Sequence, residues 1–369
     1  MNPALVFKLR PAGPWRMGPD SGARNRVDFV YHSDSLYAAV TAAMARLGLL
    51  DEWLSATAAS TVDPAVRFSS CFPFLDEIGF VVPPRTLWPP ALGASAARVR
   101  WKGARFVPLG VVSALLAGNL PDENRWCVDG PSECLLPAGR PGPFRTALRW
   151  NAAVDRLSGA CDRHATACLE YRPGAGLWAV AAFADEERQA RWSGPVRAAL
   201  RVLADSGFGG ERSRGWGRSE EPEFVEGTLP EMILPAPAPV AAPAEAAPEA
   251  ESAEGAEVVE PVPAPAPRPA VAEPGTAHWL LSLFSPADAD AVDWSRGNYS
   301  LVARGGRVDS PARSGELKKQ VNMVAEGSVL MAGERLRGGA PDVAPDGFPH
   351  PVYRAGFAVS IPLPRQVTP

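Results

Sequence analysis

Residues 207–218 read GFGGERSRGWGR, so Gly207, Gly209, Gly210, Gly215 and Gly217 are interleaved with Arg212, Arg214 and Arg218. Glycine has no Cβ, which lets main-chain N–H groups approach a phosphate closely. Guanidinium groups alongside add charge and bidentate contacts. Phe208 and Trp216 offer ring faces on which splayed bases of single-stranded RNA can stack. Two nucleotide readings fail. A P-loop requires GxxxxGK[ST], and the stretch has no such lysine. In a dinucleotide fingerprint Arg212 would have to be the third glycine, and the helix would have to follow the loop; here a helix-like segment precedes it and a strand-like one, WGRSEEPEF, follows. The motif therefore points to an RNA cradle, the plainer reading being a tight turn with solvated arginines and a buried Trp216.

Other residues with chemical potential are scattered. His32-Ser33-Asp34 stands before a helix-like segment. It suits a capping turn, with His32 and Ser33 touching RNA or a neighbouring subunit. The sharper reading makes His32 a general base for metal-independent RNA cleavage. Cys161, His164 and Cys168, with Cys127 and Cys134, could supply zinc ligands, but their spacings are not those of a zinc knuckle and no metal or other cofactor is expected. Arg149 and Arg156 flank WNAAVD, readable as a strand of a hairpin reaching along RNA. Arg304, Arg307, Lys318 and Lys319 form a second basic set around a glycine pair.

These groups need a scaffold, and 369 residues suffice for two cores. No run of about eighteen apolar residues suggests a membrane span, and the first residues show no secretory pattern. Five cysteines do not make a disulfide framework, so a reducing cytoplasm is expected. The net charge of −4 is concentrated: residues 235–275, built of Pro, Ala, Glu and Val, carry −6, leaving the rest at +2. Such a segment cannot bury a core and reads as a disordered insert. Strands are expected at 4–10, 147–155, 278–284, 298–308 and 353–363, with a hairpin at 169–183. Helices are expected at 32–48, 111–119 and 193–207, the last with Ser193 near its cap and Pro195 in its first turn. Short mixed elements favour α+β over a doubly wound sheet.

GFGGERSRGWGR resembles the C-terminal glycine-rich loop of RAMP proteins, the RNA-binding superfamily of CRISPR systems. YHSDSLYAAV (31–40), SSCFPFLDEIGFVVPPRTLWPP (69–90), KGARFVPLGVVSALLAGN (102–119), AAVDRLSGA (152–160), GNYSLVARGGRV (297–308), KKQVNMVAEGSVL (318–330) and HPVYRAGFAVSIP (350–362) follow in the expected order. Together they are similar to the fourth Csm subunits of type III-A CRISPR effector complexes, leaving only 235–275 and the last few residues outside the likeness.

The resemblance implies two RRM-like (ferredoxin-like) domains packed together. Their expected bounds are 1–150 for the first and 151–234 plus 276–369 for the second, which would carry the glycine loop. It implies a non-catalytic subunit that holds the crRNA 5′ tag through the loop glycines with Arg212 and Arg214. It also implies docking to the large polymerase-like subunit and the backbone RAMP subunit, with target RNA met only indirectly and no membrane. The acidic insert is foreign to the family pattern and is expected to point away from the tag groove. The rival readings are a crRNA-processing ribonuclease using His32 and an assembly scaffold without RNA contact.

Overall fold

The computed structural model describes residues 2–19, 22–59, 63–91, 100–234, 275–310 and 312–364. The acidic insert, apart from Gly275, lies outside them. The first half of the chain runs β1 (Asn2–Leu9), α1 (Ser33–Arg46), α2 (Leu50–Ala56), β2 (Val66–Phe68), β3 (Phe72–Leu75), β4 (Ile78–Val81), β5 (Val107–Pro108), α3 (Leu109–Leu116), β6 (Trp126–Asp129) and β7 (Cys134–Pro137). It continues with β8 (Phe144–Val154), β9 (Cys161–Tyr171), β10 (Ala175–Phe183), α4 (Glu186–Ser206) and β11 (Glu223–Leu229). The remainder is β12 (Thr276–Leu280), β13 (Val292–Asn298), β14 (Leu301–Arg304), β15 (Arg307–Asp309), β16 (Ser314–Leu317), β17 (Val321–Val324), β18 (Val329–Ala332) and β19 (Ser360–Pro362). The fold is mixed α+β with antiparallel sheets and few helices, as the sequence pattern predicts.

The first sheet has the order β11-β1-β10-β3-β4-β5, with β2 also pairing β10. Its central strand, AGLWAVAAF, is buried along its whole length, as a strand covered on both faces must be. One face is covered by helices. Leu36, Val40 and Met44 of α1 and Val196, Leu200 and Leu203 of α4 are buried at helical spacing. Trp53 of α2 contacts Tyr37, Phe68 and Trp192, joining all three helices to β2. The second sheet, β13-β18-β12-β19, alternates in its allegiance. Trp279, Leu281, Val329 and Met331 join the main core, while Leu280, Leu330 and Ala332 join a smaller one with Phe284 and Leu336. Trp279 Nε1 donates to the Val82 carbonyl at 3.1 Å, and the Ser70 amide donates to the Leu281 carbonyl at 2.9 Å, fastening the sheets together.

Several expectations need correction. The break expected at 150 does not separate the sheets, because β10 and β11 lie beyond it and both pair with β1. The glycine loop connects α4 to β11 and therefore belongs with the first sheet, not with a C-terminal unit. Helix α4 begins at Glu186, not near Ser193. Asp185 caps it by accepting from the Arg188 amide at 2.8 Å, and Pro195 sits inside the helix. The strands read as a hairpin around PGAG (173–176) pair elsewhere: β9 with β8, β10 with the first sheet. Of the strand expected at 353–363, only Ser360–Pro362 forms a strand, and Tyr353 makes an isolated bridge to Asp342.

Candidate nucleic-acid interface

The glycine loop leaves α4 through Gly207, at φ +75°, whose amide still bonds the Leu203 carbonyl at 2.8 Å. It then folds on itself and onto residues 14–16. The Phe208 amide reaches the Gly217 carbonyl at 3.3 Å, the Gly217 amide the Pro14 carbonyl at 3.0 Å, and the Gly210 amide the Arg16 carbonyl at 2.8 Å. A Cβ at Gly209 (φ +82°) would stand 2.5 Å from the Arg16 carbonyl oxygen, and one at Gly217 (φ +79°) would overlap the Phe208 carbonyl. The glycines thus let the loop close against its own backbone. The amides of Gly207, Gly210, Gly215 and Gly217 are all spent inside the protein, so they cannot grip a phosphate as the sequence suggested.

The open donors lie between them. Glu211 is left-handed (φ 60°, ψ 26°) and is followed by the right-handed 3-10 turn Arg212–Arg214. A left-handed residue next to a right-handed one makes a nest, in which successive N–H groups converge on a concave anion-binding point. Among the described residues, the amides of Gly209, Glu211, Arg212 and Ser213 have no acceptor. They border an open concavity lined by Ser206, Gly209, Glu211, Arg212 and Ser213. The Arg212 side chain is 54% exposed and touches Asp309 of β15 at 3.3 Å, bringing the ribbon β15–β16 beside the loop. Arg214 is held by the Glu211 carboxylate at 2.9 Å, while Arg218 is exposed and Trp216 half-buried. Phe208 is no stacking platform: it is buried between Trp15 and Tyr31.

Sequence reasoning missed what braces this loop. Arg16 is buried beneath it and donates to the carbonyls of Ala23 (2.8 Å), Arg24 (2.9 Å), Arg26 (3.3 Å) and Ala167 (2.7 Å). Desolvation pulls its pKa down, and the Glu211 carboxylate only partly opposes that pull. Glu211 and Ser213 were missed too, because nothing in their residue types announces a nest.

Three residues expected to touch RNA are interior: His32, Ser33 and Arg304. They link the sheets instead. His32 Nδ1 faces Glu326 at 2.7 Å and Nε2 faces Asp28 at 3.1 Å. Ser70 donates to the same Glu326, and the Ser33 hydroxyl accepts from the Leu283 amide at 3.0 Å. Arg304 grips Asp34 with two bonds of 3.0 and 3.1 Å, and Arg354 adds another. Burial works to lower the His32 pKa, but Glu326 and Asp28 outweigh it and raise it to about 9. Burial would raise Asp34, yet Arg304 and Arg354 hold it below the usual carboxylate range. An imidazole kept protonated is a poor general base at neutral pH.

The remaining basic residues are spread over projecting elements. Strands β8 and β9 form a long hairpin whose outer part is exposed, with Trp150 70% and Leu157 fully accessible. Arg149 is tied to Glu170, and Arg156 lies in the turn. Lys318 and Lys319 follow β16, Lys319 pairing with Asp346 at 2.8 Å. On the hairpin, Cys161 pairs with Val154 while His164 and Cys168 pair with Asn151 and Ala147, so Cys161 points to the opposite face and cannot join the others around one ion. Among the described residues no His/Cys/Asp/Glu group could hold a metal, and no helix is long and apolar enough to cross a membrane.

Comparison with known proteins agrees with this architecture. Residues 273–363 match the family model described as the CRISPR Csm4 C-terminal domain. The Csm3–Csm4 subcomplex of a type III-A CRISPR–Cas interference complex contains a chain of similar fold, with 13% identity, 98% of this chain and 99% of that chain covered, and a TM-score of 0.58. A Csm1–Csm4 cassette in complex with cA4 contains another, at 17% identity, 98% and 97% coverage, and a TM-score of 0.53. No curated protein matches the sequence. The chain therefore shares its fold with chains of the Csm3–Csm4 and Csm1–Csm4 assemblies of CRISPR systems. Its residues 273–363 carry the match to the Csm4 C-terminal domain.

Proposed function

We propose that this chain is a non-catalytic, cytoplasmic RNA-holding subunit of a Csm interference complex, and that it seats the 5′ tag of the crRNA on the glycine loop. The observation that carries this reading is the nest at Glu211–Ser213: converging unbonded amides in an open concavity beside the exposed Arg212 and Arg218. Phosphates set in such a nest are held by shape and charge, leaving sequence reading to the guide's own base pairing. Arg149, Arg156, Lys318 and Lys319 would extend the track along the hairpin and the ribbon. The first sheet, with its β-α-β-β-α-β order, is one RRM-like unit. The second sheet packs its inner face on the first unit's core, and among the described residues from β12 to β19 it carries no helix. Chains of similar fold occur in assemblies with Csm1 or with Csm3, which supports the large subunit and a backbone RAMP subunit as the partners of this chain. The buried, charged state of His32 supports a structural role for it over ribonuclease chemistry.

Filter binding with a single-stranded RNA bearing the repeat-derived tag tests the assignment. Arg212→Ala should weaken binding and reduce the slope of log K against log salt by about one. Equal affinity and equal slope in the variant would refute the loop as the RNA seat.

A further inference from the structure

At the end of the first sheet opposite the glycine loop, a narrow cleft opens between the two sheets. Asn2, Arg67, Ala182 and Leu229 line it from one side, Arg335 and Ser360 from the other. The register explains this grouping. Asn2 pairs with Leu229 at the start of β1, and Ala182 lies between Ala4 and Arg67. Phe68 faces the helices through Trp53, so its strand neighbour Arg67 points the other way, towards the second sheet.

Arg67 is only 1% exposed, yet its guanidinium is poorly served. It reaches Asp63 at 3.4 Å, and its Nε donates to nothing among the described residues. Arg335 converges on the same place: one terminal nitrogen donates to Asn2 Oδ1 at 3.0 Å and the other lies 3.7 Å from Asp63. Two guanidiniums thus share one carboxylate, in a setting where buried donors are normally satisfied. Burial pulls the Arg335 pKa down, and the nearby Arg337 adds to that pull. Ala182, Leu229, Ala358 and Val359 give the cleft apolar walls.

We propose that this cleft is a binding site for a single small oxyanion of the phosphate class, held between Arg67 and Arg335 at the seam of the two sheets. The planar fork of a guanidinium matches two oxygens of such a group, and the second positive charge in the cleft is what the anion neutralises. The site is separate from the RNA seat, since the length of β1 alone puts the two about 23 Å apart. The cleft is too narrow for a nucleotide, so the phosphate is either free or the terminal group of a nucleic-acid strand.

Equilibrium dialysis of labelled inorganic phosphate against the full chain at constant ionic strength tests the site. The wild type and Arg212→Ala should each retain one phosphate that Arg335→Gln loses, with affinity at least tenfold lower, while tag-RNA binding by Arg335→Gln stays unchanged. Arg335→Lys, which keeps the charge and loses the planar fork, should weaken binding severalfold and decides the matter if Arg335→Gln does not fold. Phosphate binding that is absent from the wild type, or as tight as wild type in both Arg335→Gln and Arg335→Lys, overturns the proposal and leaves the cleft to water. Competition by a 5′-phosphorylated dinucleotide but not its unphosphorylated twin would identify a strand terminus as the source; no competition by either identifies the free anion.

Discussion

Gly217 shows how tightly the loop is specified at the level of single residues. Its φ of +79° already disfavours any side chain, and an added methyl group would collide with the Phe208 carbonyl. Gly217→Ala should therefore lower stability by more than the roughly 1–3 kcal/mol of an unfavourable backbone conformation alone. Gly305→Ala, where nothing stands within 4 Å and φ is not positive, should be near neutral. Urea unfolding of the two variants checks the contrast; equal midpoints would mean the loop is not closed as described. At this scale the sequence was partly transparent. The glycines announced a sharply folded loop, because only glycine tolerates such backbone conformations cheaply. Glu211 was opaque: a glutamate has no special liking for the left-handed region, and its conformation follows from neighbours distant in sequence, not from its type. His32 misled, since a histidine before a helix looks the same whether it faces solvent or a buried glutamate 294 positions away.

The elements divide into those set by local pattern and those set by pairing. Helix α1 was expected at 32–48 and occupies Ser33–Arg46, because its apolar spacing is a local property. Helix α4 was cut short because Ser193 and Pro195 read as an N-terminal signal, although burial of Trp192 and the Asp185 cap carry the helix further back. Strand partners were illegible, since β1 pairs with strands some 170 and 220 residues away in sequence. The β8–β9 hairpin offers a prediction at this scale. Its root is buried through Phe144, Leu169 and Cys168, whereas Trp150, Val154 and Leu157 are exposed. Replacing residues 151–164 by a two-residue Asn-Gly turn should change stability by less than about 0.5 kcal/mol, as for other surface changes. The same variant should show weaker RNA binding and a shallower salt slope, because it loses Arg156 and Arg163. Undiminished RNA binding would remove the hairpin from the RNA track.

Across the whole molecule, the two sheets are joined by a buried set of opposite charges, and pH should read that joint directly. His32 has a folded pKa of about 9 against an ordinary value of 6.5, so its contribution is complete below about 6.5 and is lost as pH rises through 9. Asp34 and Glu326 are depressed, burial opposing this but the facing cations prevailing; their contributions hold above the ordinary carboxylate range and disappear as pH falls below it. Stability should thus be greatest above the carboxylate range and below about pH 6.5, and decline on both sides. In His32→Gln the chain should be less stable on that plateau and should lack the decline between about pH 6.5 and 9. Parallel wild-type and variant curves over that interval, followed by thermal melts, would contradict this. A last consequence follows from Arg16, whose one guanidinium ties the hairpin root at Ala167 to the segment at residues 23–26 while its own carbonyl carries the Gly210 amide. Whatever tugs on the outstretched arm when a neighbour or a strand leans against it is delivered, through a single side chain, to the concavity beside Glu211.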